Sequence, residues 1–236
     1  DPIPSRGLGD VYKRQAEDTP FVVLVREGVY EETLTLKPFV HVVSTQHQNA
    51  GDIPDLQSKP KLSPRTVVKS AISHDVTLSD ATDYSLIVGI HFLDETSSPN
   101  PSLFKSGNGV LQTNACTFES LSEDVGQGAL VDLQGGRYLA IDCRFRVAEQ
   151  GDKDNFAFLQ SGENTTSVFS ECSFTAPSGL AINPHQHNVG GVLNVLRNCT
   201  VKTAEYGLAT NGTSTVINSS LVGGVQNLSI NWLGST

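Results

Sequence analysis

No methionine occurs anywhere in the chain, and there is a single tryptophan. The missing methionine predicts a fragment or a processed chain. Aromatic residues make up only 7%, fewer large side chains than a single compact globule of this length usually packs. Charged residues are also sparse, at 17% against roughly 25% in an average soluble protein. No Lys/Arg cluster with interleaved aromatics is present, and the formal net charge is −9. That excludes nucleic acid as a partner, because phosphate binding requires concentrated positive charge. No apolar run approaches the roughly 20 residues that cross a bilayer, so no membrane insertion is expected, and no signal peptide is recognisable. Cysteine is scarce too, with four residues and no Cys-x-x-Cys pair, which speaks against a structural zinc site.

Glycine is plentiful, at 21 residues, and Ser, Thr and Asn are frequent. Such a composition suits strands with polar outer faces joined by many turns. The four cysteines supply a register. Cys116, Cys143, Cys172 and Cys199 are separated by 27, 29 and 27 residues. Each stands in one local frame: Ala115-Cys116-Thr117-Phe118, Asp142-Cys143-Arg144-Phe145, Glu171-Cys172-Ser173-Phe174 and Asn198-Cys199-Thr200-Val201. Ile90-His91-Phe92 precedes the series and Ser219-Ser220-Leu221 follows it. The small-polar-large alternation is that of a strand with one buried face. A second strand repeats in step: Leu103-Phe104, Leu130-Val131-Asp132, Phe156-Ala157-Phe158, Leu180-Ala181-Ile182 and Leu208-Ala209-Thr210. Gly128, Gly179 and Gly207 lie close before these strands, where positive φ is useful.

One such unit cannot cover its own apolar face, so units must stack. The period predicts an all-β, single-stranded right-handed parallel β-helix of about 7–8 coils. Like residues then form columns: the four cysteines as buried free thiols, with Phe92, Phe118, Phe145 and Phe174 beside them. Stacked Cβ atoms ~4.8 Å apart are too distant for a disulfide. The same register sets Asp132 in a column with Phe104, Phe158, Ile182 and Thr210. It would then be either bulged outward or a buried acid in need of a partner.

Residues 17–236 are expected to form the solenoid, with loops protruding near 46–64 and 96–102. Residues 1–16 lack the pattern and are expected to stand apart from it. The stretch Asp1 to Gln15 resembles a translated sequencing-adapter scar, which implies an uncultured microbial or viral source. An ordinary N-terminal arm is the alternative.

Val22-Val23-Leu24-Val25-Arg26-Glu27-Gly28-Val29-Tyr30-Glu31-Glu32-Thr33-Leu34-Thr35-Leu36 resembles the opening coil of pectin-lyase-like β-helices, as found in pectin methylesterases and in phage tail and surface proteins. The resemblance implies that Gly28 turns the chain, Tyr30 packs inward, and Glu31 or Glu32 faces out. It covers residues 22–36 closely and identifies a fold, not an activity. No QDTL, DFIFG or LGRPW counterpart is present, so the methylesterase catalytic Asp and Arg have no positions here.

Hydrolase or lyase chemistry on such a scaffold needs carboxylates or arginines clustered on adjacent coils. The residues available are Asp132, Asp142, Glu171, Arg137, Arg144 and Arg197. Asp142 and Glu171, each just before a cysteine, are the candidate catalytic pair. Two close carboxylates could share a proton or hold a cation, or simply form a solvated face. His185 and His187, at i and i+2, are the only candidate metal ligands, resembling the His-x-His near the tip of some trimeric phage spikes. No third ligand accompanies them, and no cofactor is expected. The leading expectation is a non-enzymatic β-helical scaffold or glycan-binding module of a virion or cell surface, extracellular, with polysaccharide as a possible partner and a homo-trimer as a possible assembly. The alternative is a carbohydrate-active lyase or esterase.

Overall fold

A computed structural model describes residues 20–46, 66–69, 74–94, 103–121, 128–147, 155–162, 164–182, 193–210, 213–227 and 230–233. The expected N-terminal arm and both loops, apart from Gln46, fall outside the described residues.

The described chain winds as a parallel β-helix. The first coil comprises the strands Phe21–Val25, Gly28–Glu31 and Thr35–Leu36, and the second Val40–Ser44, Thr66–Lys69 and His74–Thr77. The third is Tyr84–Val88, Ile90–Asp94 and Leu103–Ser106; the fourth is Val110–Asn114, Thr117–Ser120 and Gly128–Leu133. The fifth is Arg137–Ile141, Arg144–Val147 and Asn155–Gln160; the sixth is Thr166–Ser170, Ser173–Ala176 and Ser178–Ile182. In the seventh and eighth coils the last two strands merge, as Leu193–Arg197 with Thr200–Thr210 and Thr213–Ile217 with Ser220–Asn227. Ile230–Leu233 adds a final rung. The eight described coils match the expected 7–8, with one further strand beyond them, and most coils have three strands where the repeat reveals two.

The first strands of the coils form a nine-stranded sheet, here the first face. The second and third strands form a fourteen-stranded sheet that folds into two further faces, joined where Thr200–Thr210 rounds a corner. All pairings are parallel, with neighbours one coil apart, for example Arg137↔Thr166 and Arg144↔Ser173.

From the third coil to the eighth, the corner between first and second faces holds one left-handed residue per coil. Gly89, Ala115, Asp142, Glu171, Asn198 and Asn218 all have positive φ, between 45° and 68°. Each of the first five also donates its N–H to the next coil, as Asp142 does to the Ser170 carbonyl at 3.0 Å and Glu171 to that of Arg197 at 2.9 Å. Gly128, Gly179 and Gly207 are strand residues and do not supply these left-handed turns. Gly28 opens a strand directly after a bend, with φ 156°, a conformation that favours glycine. The corner back to the first face passes Gly107 (φ 87°) and Gly135. A Cβ on Gly107 would run into the Leu78 carbonyl, and one on Gly135 into that of Gly107, so these backbones approach too closely for any other residue.

The second face fills the core as the repeat predicts. Phe92, Phe118, Phe145 and Phe174 stack in one column, with centroids 5.2, 5.0 and 4.7 Å apart and planes within 10°. Strand spacing of ~4.8 Å sets that distance. Phe169 meets Phe145, Phe158 and Phe174 edge-on at 81–84°, the other favoured aromatic geometry. The four cysteines are free and buried, and consecutive coils pair at them: the N–H after Cys143 bonds the Cys116 carbonyl at 2.9 Å.

The first face is built differently. Its inward side chains include Ser85, Thr113, Ser167, Asn194 and Ser214, all fully buried. Thr113 bonds the Tyr138 hydroxyl at 2.9 Å, and Ser167 donates to the Gln160 carbonyl oxygen Oε1 at 2.7 Å.

Asp132 pairs across with Phe104 and Leu159, whereas Val131 pairs with Leu103 and Phe158. The expected column is therefore out of register from the fifth coil on: Phe158 aligns with Val131, and Ile182 and Thr210 fall in the column of Leu133 and Gln160. Asp132 belongs to the outward row. It is nonetheless only 9% exposed and has two partners: the Ser161 hydroxyl donates to Oδ1 at 2.7 Å and Gln134 Nε2 to Oδ2 at 3.0 Å. Burial raises its carboxyl above the ordinary range, against the pull of these two bonds.

Candidate functional site

Asp142 and Glu171 occupy neighbouring rungs of the left-handed corner and are exposed. Their backbone defines their place: each turns the chain and donates an N–H to the next coil. Asp tolerates this conformation because its short polar chain can bond locally, whereas Glu171 and Ala115 accept a cost of roughly 1–2 kcal/mol each. His185 and His187 lie outside the described residues. Among the described residues, no group of three or more His, Cys, Asp or Glu could hold a metal ion.

The structure assembles a different set on the outward side of the second face. His91 Nε2 lies 3.0 Å from Glu119 Oε2, and Arg146 Nη1 lies 3.2 Å from Glu119 Oε1. The His91 contact is an ion-pair approach rather than an aligned hydrogen bond. The ladder brings these residues together: Leu93 pairs with Glu119 and Glu119 with Arg146, while His91 stands two residues before Leu93. Burial holds the His91 imidazole below its usual range; Glu119 opposes this and Lys69 adds to it. Glu119 is shielded, with its side chain 15% exposed, whereas Arg146 is 69% exposed. Chemically, the group sets an imidazole against a shielded carboxylate and presents its guanidinium to an anion.

Extended along the face, one outward column reads Lys69, Leu93, Glu119, Arg146, Thr175, Lys202. Arg144 stands in the adjacent column, between Thr117 and Ser173. The second face therefore carries four cations on a chain of net charge −9, against Glu31 and Glu119. Single-strand alternation identifies each of these as outward, but only the cross-coil register makes them neighbours.

Two further ionisable groups are buried. Lys105 points into the solenoid and donates from Nζ to the carbonyls of Gly135 at 2.5 Å and Gly107 at 3.0 Å. Burial pushes its amine down to about 8. His74 accepts the Leu34 N–H at Nδ1, at 2.9 Å, and packs on Phe92. Burial lowers its pKa to about 4. A cavity of about 500 Å³ opens at the first coil, lined by residues including Val23, Val25, Leu34, Leu36 and Tyr30. It is largely apolar, and its lining reaches Val68 and Ile90, the residue before His91.

No protein-family model matches the chain, and no curated protein matches it. Among solved structures, a chain described as "Geobacillus virus E2 - ORF18" aligns at 9% identity with a TM-score of 0.31. The alignment covers 91% of this chain and 54% of that one, so this chain spans about half its length.

Proposed function

We propose that the protein is a non-enzymatic β-helical scaffold of a virion or cell surface, and that its second face binds an acidic polysaccharide. The observation that supports this reading is the column containing Lys69, Arg146 and Lys202, with Arg144 beside it. A rigid ladder holds these cations at fixed multiples of the strand spacing, so an extended polyanion meets several of them without ordering a loop first. Exposed guanidinium groups suit carboxylate and sulfate groups through paired N–H donors. The test is affinity electrophoresis in gels containing acidic or neutral polysaccharides. Retardation by an acidic polymer that weakens in the Arg144→Ser/Arg146→Ser double variant supports the reading; equal mobility in all gels overturns it.

A carbohydrate-active lyase or esterase is the second reading, and the His91–Glu119 contact is what favours it. Pectin and alginate are expected to remain uncleaved. A rate abolished by Glu119→Gln would establish the enzyme through that pair, whereas a rate abolished by Asp142→Asn or Glu171→Gln would move the chemistry to the corner.

A further inference from the structure

The outward side of the first face differs from that of the second. Twenty-one outward positions on this face have described side chains, and eleven of them are Val, Leu or Ile. None is Asp or Glu, although the chain holds 25 acidic residues, and the only charges are Arg137 and Arg197. The central column reads Leu86, Gln112, Leu139, Val168, Val195, Thr215. Ile141 in the next column is 43% exposed. Three of the polar groups that interrupt the stripe bond one another: the Tyr84 hydroxyl donates to Gln112 Oε1 at 3.0 Å, and Gln112 Nε2 to Asn114 Oδ1 at 2.9 Å.

We propose that this face is the contact between two copies of the chain, packed face to face as a dimer. Nine strands at ~4.8 Å spacing and five residues at ~3.3 Å give a flat face of roughly 38 by 16 Å. That is about 600 Å² before side-chain relief is counted, on the scale of the ~800 Å² per partner in a standard interface. The surface that matches a flat, ruled apolar sheet over its whole length is a second such sheet, and sheets pack in this way ~10 Å apart. Charge selects the orientation. If the two-fold axis ran along the strands at the fifth coil, Arg137 would face its own copy. With the axis parallel to the solenoid, each residue of the central column meets its own counterpart, and Arg137 faces Ile141 of the second copy. The geometry therefore points to a parallel pair of solenoids.

Sedimentation equilibrium of the full chain tests the assembly. The expected mass is twice 25.2 kDa, falling to the monomer in Leu139→Glu and Val168→Glu. Val29→Glu, on the second face, should leave the dimer intact. Circular dichroism of each variant separates dissociation from unfolding. Val168→Cys treated with a short bis-maleimide should give a covalent dimer, and Val29→Cys should not. A wild-type monomer, a mass other than that of the dimer, or a dimer indifferent to both Glu variants in folded form would overturn the proposal. Failure to crosslink at Val168 would overturn the parallel orientation.

Discussion

The coils in the middle of the solenoid and the first coil are made from the same repeat, yet their cores differ. Phe118, Phe145 and Phe174 each lie between two coils and are at most 1% exposed. In the first coil Val23, Val25 and Tyr30 are only partly buried, and a cavity of about 500 Å³ lies against them. Val29 on the same coil is 60% exposed. Among the described residues, what differs is the number of neighbouring coils: the middle coils have one on each side and the first has one on one side. Stacking on both sides lets a coil bury its inward side chains fully.

That contrast can be broken most strongly at its centre. Phe145→Ala removes a ring that touches Phe118, Phe169 and Phe174 and should cost about 3–5 kcal/mol. Val23→Ala, beside the cavity, should cost well under half as much. Urea denaturation of both variants checks the pair, and equal losses would show that the first coil is as tightly packed as the middle.

Acid should act on the other side of the comparison. His74 clasps the first coil through the Leu34 N–H and can do so only while Nδ1 is unprotonated. Its pKa of about 4 in the fold lies below 6.5 in the unfolded chain. The unfolded state therefore binds the proton first. Stability is full above about pH 6.5, declines as pH falls toward 4, and levels off below, a loss on the order of 3 kcal/mol at 1.36 kcal/mol per unit. Hydrogen exchange over this range should show the Leu34–Leu36 amides opening before those of the middle coils. Simultaneous opening would mean that His74 is not the clasp.

The cysteine column sharpens the comparison further. Cys143 Sγ donates to the carbonyls of Thr113 at 3.3 Å and Ile141 at 3.4 Å. Ser219 occupies the equivalent place in the eighth coil, donating to the Ile217 carbonyl at 2.8 Å and accepting the Cys199 N–H at 2.9 Å. Cys143→Ser should therefore cost no more than about 1 kcal/mol, less than burying a hydroxyl without partners. All four thiols are buried between coils, so none should alkylate until the chain unfolds. Rapid labelling of the native protein would contradict the stacked core.

The smallest effect is at the corner. Glu171→Asn substitutes a residue that tolerates the left-handed turn and should stabilise the protein by about 0.5–1 kcal/mol. A loss of stability there would assign Glu171 a contact worth more than its backbone strain.

The second face was legible in the sequence because its interior is filled by Cys and Phe at every coil, so the period appears in conspicuous residues. The first face was not. Thr166-Ser167-Val168-Phe169-Ser170 buries Ser167 and Phe169 and turns Val168 outward, so hydrophobicity no longer reports the inside of the strand. The same ambiguity misaligned Asp132 by one residue, since Leu130, Val131 and Asp132 are all buried. Asp142 and Glu171 stood out because they precede cysteines; their backbone angle, which explains them, is invisible in sequence. His91, Glu119 and Arg146 were each visible as outward residues. Their grouping required the pairing of Leu93 with Glu119, which depends on how many residues each intervening loop consumes.

The one-residue corner also has a mechanical meaning. Every N–H it contributes, like every rung of the three faces, points along the axis of the solenoid. A pull applied to the two ends therefore loads these bonds in succession, one coil at a time, and the chain should peel. A pull across the axis, along the strands, loads whole rungs at once. The molecule is built to be weak in tension along its length and strong in shear across it.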